Sequence, residues 1–199
     1  MVGPAAVAPT ISCVKALSTA LPGVIVIEPE VHGDARGFFQ ETYRRSAFAG
    51  LGITDDFVQD NHSRSARGVI RGLHAQGGAH PQAKLIRCAR GSVMDVVVDI
   101  RRGSPTFGRW ESCVLDDERG VQIYCPIGFA HGFQVLSEVA DVVYRCSAYY
   151  APDDEIAIAH DDPAIGITWA DIPPMVSARD RAAPSLARVA DSLPFAWSG

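Results

Sequence analysis

The chain reads as a succession of short β-branched and alternating runs, with almost no helical periodicity. From Gly23 onward, Val24-Ile25-Val26-Ile27 is β-branched throughout, which favours a pleated strand over a helix. A turn-rich break at 32–37 precedes Phe38-Phe39. Further strand-like runs come around 56–61, 68–74, 84–90, 92–100, 108–115, 121–125, 131–136 and 142–149. Gly91, Arg102-Gly103-Ser104-Pro105, Asp116-Asp117, Pro126-Ile127-Gly128 and Asp153-Asp154 punctuate them as turns. Ser46 to Leu51 reads as one short helix closed by Gly50. Only the tail, Ser177 to Asp191, has further helical character, interrupted at Pro184. Such a pattern predicts an all-β barrel or sandwich with short peripheral helices.

Alternation also sorts the polar residues. Along 92–100, Met94, Val96, Val98 and Ile100 share one face, while Asp95 and Asp99 share the other with Val93 and Val97. Those two carboxylates are either solvated edge positions or groups lining a barrel. Along 144–150, Tyr144, Cys146, Ala148 and Tyr150 fall together, so both tyrosines are expected at one barrel mouth. The run 69–74 breaks the rule, because strict alternation sets Arg71 and His74 on opposite faces. A bulge at Gly72, or a strand that ends there, would bring them to one site.

Composition narrows the partners. At 199 residues one domain is expected, spanning 14–199, behind a poorly ordered leader over 1–13. The leader lacks the positive n-region of a signal peptide. No apolar run is long enough for a membrane span. The net charge of −5 comes without a Lys/Arg run, so no nucleic-acid surface is expected. Five cysteines, odd in number and without a CxxC pair, fit buried thiols in a reducing cytoplasm.

Candidate chemistry concentrates between Phe57 and Lys84. Gln59 and Asn61 share one strand face, Arg71 and His74 bracket Gly72-Leu73, and Lys84 opens the next strand. A base, a guanidinium and an ammonium on neighbouring segments suit removal of a proton beside a carbonyl on a phosphorylated substrate. Structural cations rarely gather around a structural histidine, since each must find an anion. The glycine-rich loops of dinucleotide and P-loop sites are absent, so no redox cofactor is expected, and no G-x-S-x-G elbow appears either. Pro126-Ile127-Gly128-Phe129-Ala130-His131 fits the second motif of metal-binding cupins, yet no H-x-H exists to supply the first. His74 and His131 alone fall short of the three protein ligands of a usual catalytic site, so no metal is expected. His131 by itself reads equally as a satisfied core residue.

Nine ordered motifs are similar to those of the dTDP-4-dehydrorhamnose 3,5-epimerase family, nucleotide-sugar epimerases of the cupin superfamily. They are DARGFFQE (34–41), QDNHSRS (59–65), RGLHAQ (71–76), QAK (82–84), DVVVDIR (95–101), GSPTFG (103–108), GFAHGF (128–133), Tyr144 to Tyr150, and VSARD (176–180). The resemblance runs from about Val14 to about Leu186 and implies a metal-free cupin jelly roll acting as a homodimer with strands exchanged at the interface. It implies His74 as the base, Asp180 as the partner that fixes its tautomer and favours its protonated form, Lys84 at the sugar C4 oxygen, and Tyr144 as the acid on the opposite side. Arg36, Glu41, Gln59, Asn61, Arg71, His131, Glu155 and Arg179 match substrate-contacting positions, and Tyr150 matches the residue that stacks on thymine. Among these, Arg36 and Arg71 are expected on the diphosphate, where arginine forks suit phosphate oxygens.

The substrate so implied is a dTDP-4-keto-6-deoxyhexose, inverted at C3 and C5. Two departures from the family pattern bear on this. Ala75 replaces the usual aromatic after the catalytic histidine and is expected to reshape the pocket beside His74. The segment 151–160 lacks the usual basic and Trp positions. Inversion of C3 or C5 alone, in an antibiotic-sugar pathway, is therefore an alternative. A 3,4-ketoisomerase-like cupin and a non-catalytic sugar-nucleotide-binding barrel are further ones.

Overall fold

The computed structural model of the protein describes residues 14–17 and 19–198; the leader expected over 1–13 lies outside them. Its strands are Val14–Leu17 (β1), Ile25–Pro29 (β2), Val31–Asp34 (β3), Gly37–Gln40 (β4), Gln59–Ala66 (β5), Val69–Gln76 (β6), Lys84–Arg90 (β7), Ser92–Asp99 (β8), Trp110–Asp116 (β9), Gln122–Cys125 (β10), Phe129–Val135 (β11), Val139–Cys146 (β12), Glu155–Ala157 (β13) and Met175–Val176 (β14). Three short helices accompany them, Arg45–Gly50 (α1), Ala178–Arg181 (α2) and Leu186–Val189 (α3). The broken tail helix expected around Pro184 is thus two separate turns. The strands form one sheet in the order β1-β2-β10-β7-β12-β5 and a second in the order β13-β6-β11-β8-β9, with β14 added to β6. The pattern of short strands anticipated an all-β barrel or sandwich, and the two sheets form the jelly roll that the resemblance implied. The hairpin β3–β4 belongs to neither sheet.

The core is layered, and each layer follows from alternation. Between the sheets, Ile86, Val142 and Ile123 from the first meet Val93, Val97, Leu115 and Phe133 from the second. Outside the second sheet, Leu73, Ala75, Val96, Val98 and Ile100 are covered by Ile158, Ile165, Leu186, Leu193 and Phe195 from the C-terminal third. Outside the first, Ile27, Leu85 and Tyr124 are covered by Phe48 of α1 and Ile53. Each fully buried Val, Leu or Ile side chain contributes about 1.5–3 kcal/mol, so both faces of β8 stabilise the fold. That answers the question left by Asp95 and Asp99. Both are fully buried, not solvated edge groups, because β8 lies between β11 and β9 with apolar layers on either side.

Two local features aim the site. Between β6 and β11 the register runs His74↔His131 and then Arg71↔Phe133, so β6 spends three residues where β11 spends two. The extra residue is Gly72, with φ +133°; a Cβ there would lie 2.6 Å from the Gly132 Cα. The bulge shifts the alternation, so Leu73 and Ala75 enter the outer layer while Arg71 and His74 both reach the cavity between the sheets. The second feature is the end of β12 at Cys146, which corrects the expected continuous run to Tyr150. Tyr149 and Tyr150 lie on the loop beyond and are exposed. Alternation therefore does not carry Tyr150 to the mouth beside Tyr144.

Candidate active site

A cavity of about 750 Å³ opens between the sheets. The second sheet lends it Arg71 and His74 from β6 and His131 from β11; the first lends Lys84 from β7 and Tyr144 from β12. The segment Pro174–Arg181 closes one side and supplies Arg179 and Asp180. Five chemically active side chains thus converge from two sheets, and two more from the tail.

The nitrogen Nε2 of His74 is 2.7 Å from Asp180 Oδ1. A carboxylate there holds the Nε2–H tautomer and leaves Nδ1 to accept a proton. Burial lowers the pKa of His74, the Asp180 hydrogen bond and charge oppose that, and Lys84 lowers it again. Asp180 does favour the protonated ring, as expected, but burial outweighs it, and the imidazole is kept neutral as a base requires. Asp180 itself is buried on the four-residue helix α2. The cap residue Ser177 accepts the Asp180 backbone N–H through Oγ at 3.0 Å, and Gln134 Nε2 holds the incoming segment through the Ile172 carbonyl at 3.2 Å.

Lys84 Nζ donates to the His74 carbonyl at 3.2 Å, which sets the ammonium beside His74. Tyr144 stands opposite Asn61 in the β12–β5 register. Burial raises its pKa, with the Cys146 thiol adding to the rise and Arg71 countering it; the phenol therefore keeps its proton until one is demanded. Arg71 Nε donates to Ser65 Oγ at 3.0 Å across the gap between the sheets.

The other expected residues divide into two groups. Gln59, Asn61, Tyr150 and Glu155 are linked to the cavity through contacts rather than by lining it. Gln59 Nε2 donates to Asn61 Oδ1 at 3.0 Å, Tyr150 Oη donates to Glu155 Oε2 at 2.7 Å, and Glu155 pairs with Arg179. Arg36 and Glu41 are not brought to the cavity within one chain. Arg36 pairs with Asp34 on the β3–β4 hairpin, its side chain 90% exposed, and Glu41 pairs with Arg44. The expectation for Ala75 is overturned, since it packs in the outer layer and does not shape the pocket beside His74.

Asp95 was not among the expected site residues. Its Oδ2 lies 2.8 Å from His131 Nε2, while its Oδ1 is buried without a hydrogen-bond partner. Burial raises its pKa and the His131 charge and hydrogen bond pull it down. The signal was present in the sequence: Asp95 shares its strand face with Val93 and Val97, which fill the inner core. Among the described residues no group of three His, Cys, Asp or Glu side chains gathers as for a metal ion, and no helix is long and apolar enough to cross a membrane.

Residues 18–188 match the family model described as dTDP-4-dehydrorhamnose 3,5-epimerase. The enzyme of that name from Salmonella typhimurium is 51% identical over 172 residues, covering 85% of this chain and 94% of its own. A crystal structure of dTDP-6-deoxy-D-glucose-3,5-epimerase from Legionella pneumophila, in complex with dTDP-4-keto-L-rhamnose, superposes with a TM-score of 0.89 at 43% identity, covering 94% of this chain and all of that one. A 3′-monoepimerase from Streptomyces bikiniensis in complex with dTDP-quinovose superposes with a TM-score of 0.82 at 39% identity, covering 89% and 91%.

Proposed function

This chain belongs to the dTDP-4-dehydrorhamnose 3,5-epimerase family, and from that premise we propose how its side chains divide the reaction. The protein is an isomerase that inverts C3 and C5 of a dTDP-4-keto-6-deoxyhexose. The C4 ketone acidifies the hydrogens on both neighbouring carbons. His74 Nδ1 takes one of them, and the electron pair moves to the C4 oxygen as an enolate. Lys84 donates to that oxygen; losing such a contact raises a barrier by about 3–4 kcal/mol. Tyr144 gives its proton to the carbon from the other side, and the ketone re-forms with the centre inverted. One observation carries this division: His74 and Tyr144 reach one cavity from opposite sheets. Groups that enter from opposite sides can address opposite faces of a sugar held between them.

Arg71, Arg179 and His131 hold the diphosphate and sugar in this reading, Gln59 and Asn61 support them, and Tyr150 faces the base. Arg36 and Glu41 belong to a second copy's site. The hairpin that carries Arg36 exposes Phe38 and Phe39, 61% and 72% accessible, and large apolar side chains so displayed suit burial against another chain. The protein thus acts as a homodimer of single-domain chains spanning 14–199. A cytoplasmic setting fits the free thiols of Cys88, Cys113, Cys125 and Cys146. Inversion of both centres is favoured over one, since Ala75 does not reach the pocket.

Turnover in D₂O tests the chemistry. Label at C3 and C5 of the product is expected; label at one carbon alone decides for a mono-epimerase. Tyr144→Phe should retain wash-in of deuterium, because the enolate still forms and is reprotonated from His74, but it should yield little inverted product. Equal loss of wash-in and inversion would remove Tyr144 from the role of acid. Mixing inactive Arg36→Ala and His74→Ala chains tests the shared site. Exchange of subunits should restore activity, and mixtures as inactive as their parts would confine Arg36 to its own chain.

A further inference from the structure

Tyr150 lies on an exposed loop, yet its backbone is held on both sides by amide side chains, those of buried Gln76 and half-buried Gln59. Gln76, only 3% exposed at the end of β6, donates Nε2–H to the Tyr149 carbonyl at 3.0 Å and to the His80 carbonyl at 2.7 Å. Its Oε1 accepts the Ala151 N–H at 2.9 Å. Gln59, from the other sheet, accepts the Tyr150 N–H through Oε1 at 2.9 Å. The backbone of residues 149–151 is thus fixed at three points by two glutamines. Gln76 also lies two residues from His74 and opposite Glu155 in the β6–β13 register. It joins the strand bearing the base to the loop bearing the aromatic ring.

A tyrosine ring on a loop stacks on a base only if the loop holds it still, since freezing a mobile side chain on binding subtracts from the affinity. An amide suits this task, because it donates and accepts at once and keeps both roles at any physiological pH. A closing turn needs no such arrangement: Gln82, nearby, spends one bond on the Ala148 carbonyl. We propose that Gln76 is a positioning residue for nucleotide recognition, pre-setting the Tyr150 ring to stack on the nucleobase. The inference rests on the reading of Tyr150 as the base-facing residue.

Calorimetric binding of dTDP and of inorganic pyrophosphate tests it in four proteins: wild type, Gln76→Met, Tyr150→Ala and the double variant. Tyr150→Ala should weaken dTDP by about tenfold through lost stacking while pyrophosphate binding is kept. Gln76→Met, similar in length but unable to make any of the three bonds, should weaken dTDP by about tenfold, again sparing pyrophosphate. In the double variant the two losses should not multiply. Gln76→Asn keeps a neutral amide on a shorter stem, so it should fall between wild type and Gln76→Met; it carries the measurement if the Met variant does not fold. Unchanged dTDP affinity in Tyr150→Ala would overturn the reading of Tyr150, and the inference with it. A normal Tyr150→Ala result with Gln76 losses that extend to pyrophosphate, or that persist in full without Tyr150, would overturn the inference alone.

Discussion

His74–Asp180 and His131–Asp95 are the same chemical pair at nearly the same separation, 2.7 Å and 2.8 Å, and both histidines line one cavity. Their settings differ. In the first, the histidine is on a strand and the carboxylate on a four-residue helix of the C-terminal segment. In the second, both residues come from neighbouring strands of one sheet, and the carboxylate is wholly enclosed. Burial acts on the ring in the first pair, lowering the His74 pKa, and on the acid in the second, raising that of Asp95. Burial thus favours a neutral imidazole at His74, which Asp180 orients, and makes Asp95 a fixed hydrogen-bond partner within the sheet. Pair chemistry alone does not assign a catalytic role. The element that carries each partner, and the group that burial penalises, decide it.

The comparison is broken most directly at the histidines. His74→Ala should lower turnover and deuterium wash-in on the order of 10²–10⁴-fold, the usual worth of a general base. His131→Ala should lower kcat/KM by about tenfold, through substrate binding, and keep wash-in at saturation. Rapid-quench exchange in D₂O measures both; a larger exchange defect in the His131 variant would interchange the roles of the pairs.

The carboxylates give a finer split. Asp180→Asn keeps the shape but removes the charge that fixes the His74 tautomer, so kcat should fall by about 10²-fold with KM little changed. Asp95→Asn still accepts from His131, so KM should rise by a few-fold with kcat largely kept. Steady-state kinetics of the two variants would contradict the distinction if both lowered kcat alike.

Much of the architecture was legible in the chain because alternation is a local property. The phases of β7, β8 and β12 place Lys84, Val93 and Tyr144 on the inner faces, and even the disturbance at Gly72 announced itself as a conflict between Arg71 and His74. What escaped was set by tertiary contact. The face of Asp95 was legible beside Val93 and Val97, but its complete enclosure depends on the flanking strands. The outward side chain of Ala75 is an exception, since alternation alone sets it opposite His74; the departure of Tyr150 from the strand follows from the end of pairing at Cys146. The pairing of His74 with a residue 106 positions away came from motif similarity, since no periodicity connects them. Arg36 and Glu41, which lie away from the cavity within one chain, point to the same limit at a larger scale under the proposed dimer.

The smallest expected effect is also the one that separates the pairs by sign. The folded His74 holds its proton less tightly than in the unfolded chain, so its contribution to stability is complete above the unfolded value of about 6.5 and is lost as pH falls through its lower folded pKa. Asp95 shifts the other way. Folded, it holds a proton more tightly than in the unfolded chain, so its contribution is present below the unfolded value of about 3.9 and is lost as pH rises through its folded pKa. Thermal unfolding at a series of pH values should therefore show wild type losing ground to His74→Gln as pH falls from neutral, and losing ground to Asp95→Asn as pH rises. Activity should follow the first pair alone. The rise of kcat/KM with pH should have its midpoint below that of an ordinary histidine, since the base works only when neutral. In Asp180→Asn that midpoint should move further towards acid, because the hydrogen bond and charge that oppose burial are gone. The same substitution at Asp95 should leave the midpoint where it was. A midpoint that moves with Asp95 and not with Asp180 would transfer the working base to His131.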